Sequence, residues 1–248
     1  MIKFFRRIRF DLMEKNKTGK YIKYAIGEII LVVIGILIAL QINTLNEQKK
    51  DRKYEVKMLS EMINALEEDE KHFNIMLDRI IVLDSMANYF MTLSKNKVTY
   101  HDTIFSKVFS LNSGTSFQVN SGPYQAIKSS GLDKISNDSL RNKLINFYDF
   151  KVPLYTGRFE HTNRNYQDNI ETLLSLLGER HIATGNGRNF VAWKDVPADI
   201  FQQQQFLEIL SDIAWRTNVS NRIFIDRLDE LQKLKMAVKL EINHDKIL

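Results

Sequence analysis

Apolar residues are distributed along this chain in two different ways. Between Ala25 and Ile42 they fall on every side of a helix, and the 18 residues contain a single charge, Glu28. At 1.5 Å per residue that run is ~27 Å long, close to the ~30 Å hydrocarbon thickness of a bilayer. Tyr21, Ile22 and Tyr24 complete it at the start and supply rings suited to a membrane interface. Further on, apolar residues recur every three or four positions. Leu59, Ile63 and Leu66 do so first, then Phe73, Met76, Ile80, Leu83, Ala87 and Phe90. This one-sided spacing predicts a helix with one buried stripe. Neither proline nor glycine occurs from Asn46 to Leu93. The pattern therefore predicts one helix of about 48 residues and about 70 Å, able to run on from the apolar span. Its first part, "NEQKKDRK", has almost no apolar face and reads as a solvated stalk.

The rest of the pattern is helical but more broken. Residues 102–111 suggest a short helix. Pro123 can open another at its first turn, "YQAIKSSG", with Gly131 just past its end. Ser136 is placed to cap the next helix, with Ile135 and Leu140 as a staple and Asp138 in the first turn. Pro153 should kink or split that helix, whose stripe resumes through Phe159, Tyr166, Ile170, Leu173 and Leu177. Residues 179–199 read as a long loop. A last helix from about Ile200 to Asn243 keeps Phe224, Leu228, Leu231, Leu234 and Val238 in register. No strand-like alternation and no internal repeat stands out. The expected fold class is all-α: a basic tail over 1–20, a transmembrane helix over 21–43, a stalk over 44–58, and over 59–248 an elongated bundle of three long helices plus short ones.

Charge sharpens this division. The chain carries +5, yet residues 1–24 alone hold eight basic and two acidic side chains, so the remainder sums to −1. A near-neutral domain argues against nucleic acid as a partner, because such binding rests on many phosphate contacts. There are no cysteines, which excludes disulfides, zinc–thiolate sites and cysteine nucleophiles. The polar stretch before the span exceeds 20 residues and no small-x-small site follows it, so an uncleaved signal anchor is expected. Eight basic residues precede the span. Five follow within about 15 residues: Lys49, Lys50, Arg52, Lys53 and Lys57. That asymmetry predicts a cytoplasmic N-terminus and an extracytoplasmic, periplasmic domain. In "MIKFFRRIRFDLM", Met1, Phe5, Ile8 and Leu12 share one helical face. The tail is either a basic amphipathic helix on the anionic leaflet or a disordered orienting segment.

Glu28 sits about one turn into the span. It can reach toward the headgroups and Lys20 or Lys23, or it can meet a donor on a partner helix. Gly35 and Ala39 form a small-x-x-x-small pair, with Gly27 eight residues before Gly35, a pattern that lets helices approach closely.

Two stretches carry a resemblance. "KYAIGEIILVVIGILIALQINTLNE", behind "MIKFFRRIR", and "YQAIKSSGLDKISNDSLRNKLINFY" are similar to an uncharacterised family of single-span Bacteroidota membrane proteins. In that family the span usually ends in Asn-x-Trp-Asn-Glu; here Leu45 stands in the tryptophan position, so that interfacial anchor is missing. The resemblance implies an inner-membrane anchor with an extracytoplasmic helical domain, and no assigned activity.

Catalytic motifs are thin. Ser94 and Lys97 fit Ser-x-x-Lys and Lys17–Gly19 reads Lys-Thr-Gly, but the proposed membrane separates them and no Ser-Asp-Asn joins them. Glu241-Ile-Asn-His244 matches the di-iron Glu-x-x-His once, and Asp69-Glu-Lys-His72 only with aspartate substituted. His101, His161 and His181 have no ligand-spaced partners, and no strand precedes "GNGR" at Gly185–Arg188. No metal and no cofactor is therefore expected. Two surfaces remain. In the 179–199 loop, Arg188, Phe190 and Trp193 form a contact surface unless the two aromatics tuck back onto the bundle. Tyr124, Lys128, Ser129 and Ser130 either line a pocket or cap and pack their helix. The expected function is a non-enzymatic, membrane-anchored scaffold or sensor-like module, touching lipid and a protein partner or a second copy. The alternative is a metal-dependent or hydrolytic enzyme built in the bundle.

Overall fold

The computed structural model describes residues 18–101, 105–112, 114–185 and 188–244. The basic tail expected over 1–20 thus lies almost wholly outside the described residues. The chain divides into two compact units between Glu55 and Val56, inside the segment expected to be a stalk.

Both units draw on α1, a helix of 78 residues over Thr18–Lys95. The expected helix from Asn46 to Leu93 is thus one with the apolar span. In the first unit α1 contains a window long and apolar enough to cross a membrane, none of it buried within the protein. Ile29, Leu31 and Ile42 are each more than 60 % exposed.

The second unit is built on a seam. On α1, Leu59, Met62, Leu66, Asp69, Phe73 and Met76 are buried, and the series continues through Ile80, Leu83, Ala87 and Phe90. The spacing alternates three and four without a break, a period of 3.5, which keeps one stripe facing a partner helix. That partner is α7, 41 residues over Gln204–His244. It buries its own series in the same alternation, from Phe206 and Leu210 through Phe224 to Leu234 and Val238. The two helices run antiparallel. Lys239 Nζ donates to Glu67 at 2.8 Å and Gln232 to Glu70 at 2.8 Å, while Thr217 Oγ1 reaches Asp84 at 3.3 Å. The C-terminal end of α7 therefore lies at the end of the bundle where α1 enters it.

Shorter helices close the seam. They are α2 (Phe105–Ser110), α3 (Gly122–Ser130), α4 (Asp138–Ile145), α5 (Val152–Asn163) and α6 (Tyr166–Leu176). Phe73 and Phe224 meet edge-to-face at 5.3 Å, and Phe117 and Phe159 complete a four-ring centre. A second core gathers Phe90, Leu173, Leu177, Trp193, Phe201 and Phe206.

Three local expectations are corrected. The cap of α4 is Asn137 rather than Ser136: its side chain accepts from the Leu140 N–H at 3.1 Å. Pro153 does not break the chain of helices. A π-helical turn over Asn146–Lys151 links α4 to α5, and the Val152 N–H reaches back five residues to the Phe147 carbonyl. The wider turn absorbs the bond that proline cannot make. Lastly, 179–199 is not a loop throughout. Strands β1 (Glu179–Gly185) and β2 (Arg188–Lys194) pair antiparallel, from Glu179↔Lys194 to Gly185↔Arg188. Gly178 enters the hairpin at φ +92°, and a Cβ there would lie 2.5 Å from the Lys194 carbonyl oxygen, so only glycine fits. Apart from this hairpin the described residues hold no strand, and the all-α class stands.

Candidate functional site

On its α1 side the seam has one flaw. Among ten α1 positions from Leu59 to Phe90, nine are apolar and one is Asp69, which is 6 % exposed. Burying a carboxylate is costly unless it is bonded. Both its oxygens accept from the backbone N–H of Asn120, at 2.9 and 3.1 Å. Asn120 Oδ1 in turn accepts from the Gly122 N–H at 3.1 Å, tying the start of α3 to the acid. Desolvation still dominates and pushes the Asp69 carboxyl up to about 6, against the opposing pull of the Asn120 bond and of His72.

Beside it stands Tyr148, carried by the π-helical turn. It is 4 % exposed, and its hydroxyl has no hydrogen-bond partner among the described residues. Burial, then the negative charge of Asp69, raise its phenol well above the ordinary value. Its ring stacks on Tyr124 at 4.6 Å and 13°. Tyr124 donates to Asp149 Oδ2 at 2.8 Å, and Lys128 Nζ donates to both Asp149 oxygens at 2.9 Å. Lys128, ahead of the partial burial that opposes it, holds the Asp149 carboxyl below its usual range. One α helix, one π turn and the α1 seam thus bring together two acids, two tyrosines and a lysine. The π turn matters because it advances Tyr148 inward and Asp149 outward on adjacent residues, one buried and one partly exposed.

The residues singled out from sequence separate. Tyr124 and Lys128 join this cluster. Ser129 and Ser130 do not: each hydroxyl bonds a carbonyl of its own helix, Gln125 at 2.8 Å and Ile127 at 2.9 Å. Trp193 is buried and its indole N–H donates to the Leu174 carbonyl at 3.0 Å, fastening the hairpin to α6. Arg188 and Phe190 lie on β2; their side chains are outside the described residues. Glu28 is half-buried, Ala39 is exposed, and a Cβ at Gly35 would meet nothing within 4 Å. Sequence reasoning missed Asp69, Tyr148 and Asp149 as members of one cluster. A search for the polar exception within the apolar stripe would have found Asp69.

Asp69 and Tyr148 are both shifted toward their protonated forms. The cluster offers no nucleophile paired with a base, and its exposed acid is already engaged by Lys128 and Tyr124. Among the described residues no three of His, Asp and Glu come together as metal ligands do. His72, three residues from Asp69, has its Nε2 3.0 Å from the Ser116 carbonyl, and Glu241 accepts from Asn137 at 2.7 Å. Ser94 and Lys97 close the end of α1 through a backbone bond of 2.9 Å.

The model of a family of unknown function, DUF6090, matches residues 28–179 of the chain. The match runs from Glu28 in the apolar window to Glu179 at the first residue of β1, and so includes Asp69, Tyr124, Tyr148 and Asp149. No curated protein and no solved structure matches the chain significantly.

Proposed function

The chain belongs to the DUF6090 family of unknown function, and we propose that it is a single-pass module of a bacterial inner membrane that displays a non-enzymatic helical domain to protein partners. The observation that carries this reading is α1 itself. One helix supplies both an exposed apolar window fit for a bilayer and the seam on which the second unit is assembled. The surplus of basic residues before the window favours a cytoplasmic N-terminus and a periplasmic domain. The groups of the polar cluster bond mainly to one another and to backbone, which suits a structural part better than a catalytic one.

The hairpin is the contact element in this proposal. Trp193 holds its base in the core, while Ile182 stands 75 % exposed further along the arm. Arg188 and Phe190 belong to the same arm. Among the described residues no third strand pairs with β1 or β2, and an added strand could pair at an edge.

Two measurements test it. A periplasm-dependent reporter fused after Leu248 should be active; activity only of a cytosol-dependent reporter reverses the orientation. A photo-crosslinker at Ile182, used in native membranes, should yield a discrete protein adduct that Trp193→Ala diminishes. A ladder no different from one obtained at exposed Lys57 removes the hairpin from the reading.

A further inference from the structure

Away from the tyrosine cluster, α5 and α7 lie side by side with a trough of about 720 Å³ between them. The sequence places it there. Leu154, Gly157, Arg158 and His161 fall on one face of α5, and Val219, Arg222, Ile223 and Asp226 on one face of α7. Small-molecule sites commonly enclose roughly 300–1,000 Å³ and are mainly apolar with a few polar groups. Here Ile223 is buried and Leu154 half-exposed, and together with Pro153 and Val219 they form an apolar bed. Gly157 deepens it: a Cβ there would meet nothing within 4 Å, so open space reaches the backbone.

Two arginines line the same trough, one from each helix. Three arginines of the bundle are engaged by carboxylates, Arg141 by Asp138, Arg216 by Asp212 and Arg227 by Glu230, and Arg79 bonds the Gly114 carbonyl. Arg158 and Arg222 have no ion-pair or hydrogen-bond partner among the described residues. Arg158 only lies over the Tyr155 ring, at 5.5 Å. Asp226 is the one acid in the lining. Two guanidinium groups on opposite walls therefore face an apolar bed with their donors unspent. A guanidinium fork matches the geometry of carboxylate and phosphate oxygens.

We propose that the trough between α5 and α7 binds an amphipathic organic anion, a carboxylate or phosphate ester with an apolar body, its head between Arg158 and Arg222 and its body against Leu154, Gly157 and Ile223. Both halves of the ligand are required. Inorganic phosphate lacks the part that the bed would cover, and a neutral aromatic lacks the part that the arginines would hold.

The test uses the full chain in phosphatidylcholine nanodiscs and calorimetric titration. Phenyl phosphate and 4-phenylbutyrate should bind saturably, at least tenfold tighter than inorganic phosphate or benzyl alcohol. Arg158→Ala and Arg222→Ala should each weaken binding about tenfold, the size expected for a hydrogen bond to a charged group. Gly157→Phe should abolish it, with the melting curve and helical signal unchanged. Repeating the titration in discs containing phosphatidylglycerol identifies the natural source. Competition assigns the head to a lipid, no competition assigns it to a soluble molecule, and either supports the site. Absence of saturable binding overturns the proposal. So does equal binding by the double arginine variant, or equal affinity for inorganic phosphate. If Gly157→Phe instead abolishes self-association of the wild-type chain, the trough belongs to a second copy and the proposal fails.

Discussion

Two stretches of α1 share a backbone conformation and differ in everything their side chains ask of the surroundings. From Ile22 to Leu45 the apolar residues occupy all faces and are exposed. From Leu59 to Phe90 a single stripe of them, one position in three or four, is buried, while Ile75, Ile81 and Val82 off the stripe stay exposed. The first pattern has no polar face for water and suits lipid on every side; the second needs a protein partner on one side and water on the other. The comparison teaches that helix is the least informative word about this chain. What distinguishes the two stretches is the angular spread of hydrophobicity, and different solvents should therefore register damage to each.

Breaking the buried stripe should cost most. Phe224 is wholly buried on α7 and touches Phe73, Phe117 and Phe159. Phe224→Ala should lower the stability of the second unit by about 3–5 kcal/mol in denaturant titration. Its effect on membrane association should be nil. The converse lesion is Ile34→Lys, at an exposed position of the apolar window. A lysine at the centre of a span costs about 2.5–3.5 kcal/mol of insertion. Alkaline carbonate extraction should release this variant from membranes while the helical domain melts as before. If both lesions shift both readouts, the two patterns are not separable.

How far the sequence spoke depends on the same property. The seam was legible because Phe73, Met76, Ile80, Leu83, Ala87 and Phe90 repeat without a proline or glycine between them. Asp69 was not, since a search for apolar periodicity steps over a carboxylate even when it sits on the stripe. Placing it required the Asn120 backbone, 51 residues away, which no local pattern reveals. The hairpin was missed for a different reason. Trp193 is buried, but Arg180 opposite it and Ile182 on the same face are exposed, so no inward apolar alternation marks the strands. The signal that remained was in the sequence alone, the Asn-Gly pair at 186–187, a dipeptide that favours hairpins. Pro153 was expected to kink or split the helix, and sequence alone does not say that a π turn will absorb it. Of the candidate site, Tyr124 and Lys128 were found through their local motif, whereas Tyr148 and Asp149 entered only once α3 and the π turn were seen side by side.

The flaw in the seam offers a subtler cut. The folded-state carboxyl of Asp69 is raised from 3.8 to about 6. The fold therefore holds its proton more tightly than the unfolded chain does. That contribution is complete below pH 3.8 and is lost as pH rises through about 6. Tyr148, His72 and Glu68 are the groups coupled to it. Asp69→Asn keeps an oxygen for the Asn120 N–H and carries no charge to desolvate. It should stabilise the second unit by about 1–2 kcal/mol at pH 8, allowing for residual solvent screening. The gain should vanish toward pH 4. A loss of stability at pH 8 would show that the charged form is what the seam requires.

The next residue along α1 should behave in the opposite sense, at smaller amplitude. Glu70 lies at the edge of the same seam, where Lys235 and Gln232 of α7 donate to its two oxygens. The Lys235 bond, then the Gln232 bond, hold its carboxyl below the ordinary glutamate value of 4.5. Its contribution is present above pH 4.5 and is lost as pH falls through the folded value. Because the pair is partly exposed, Glu70→Gln should lower the melting temperature at pH 7 by only about a degree, and less in high salt. Wild type and variant should converge near pH 3. Two adjacent acids, one turned into the stripe and one beside it, would then give pH profiles that diverge at opposite ends. Profiles of the same sign would mean that position relative to the seam does not decide how this helix carries charge.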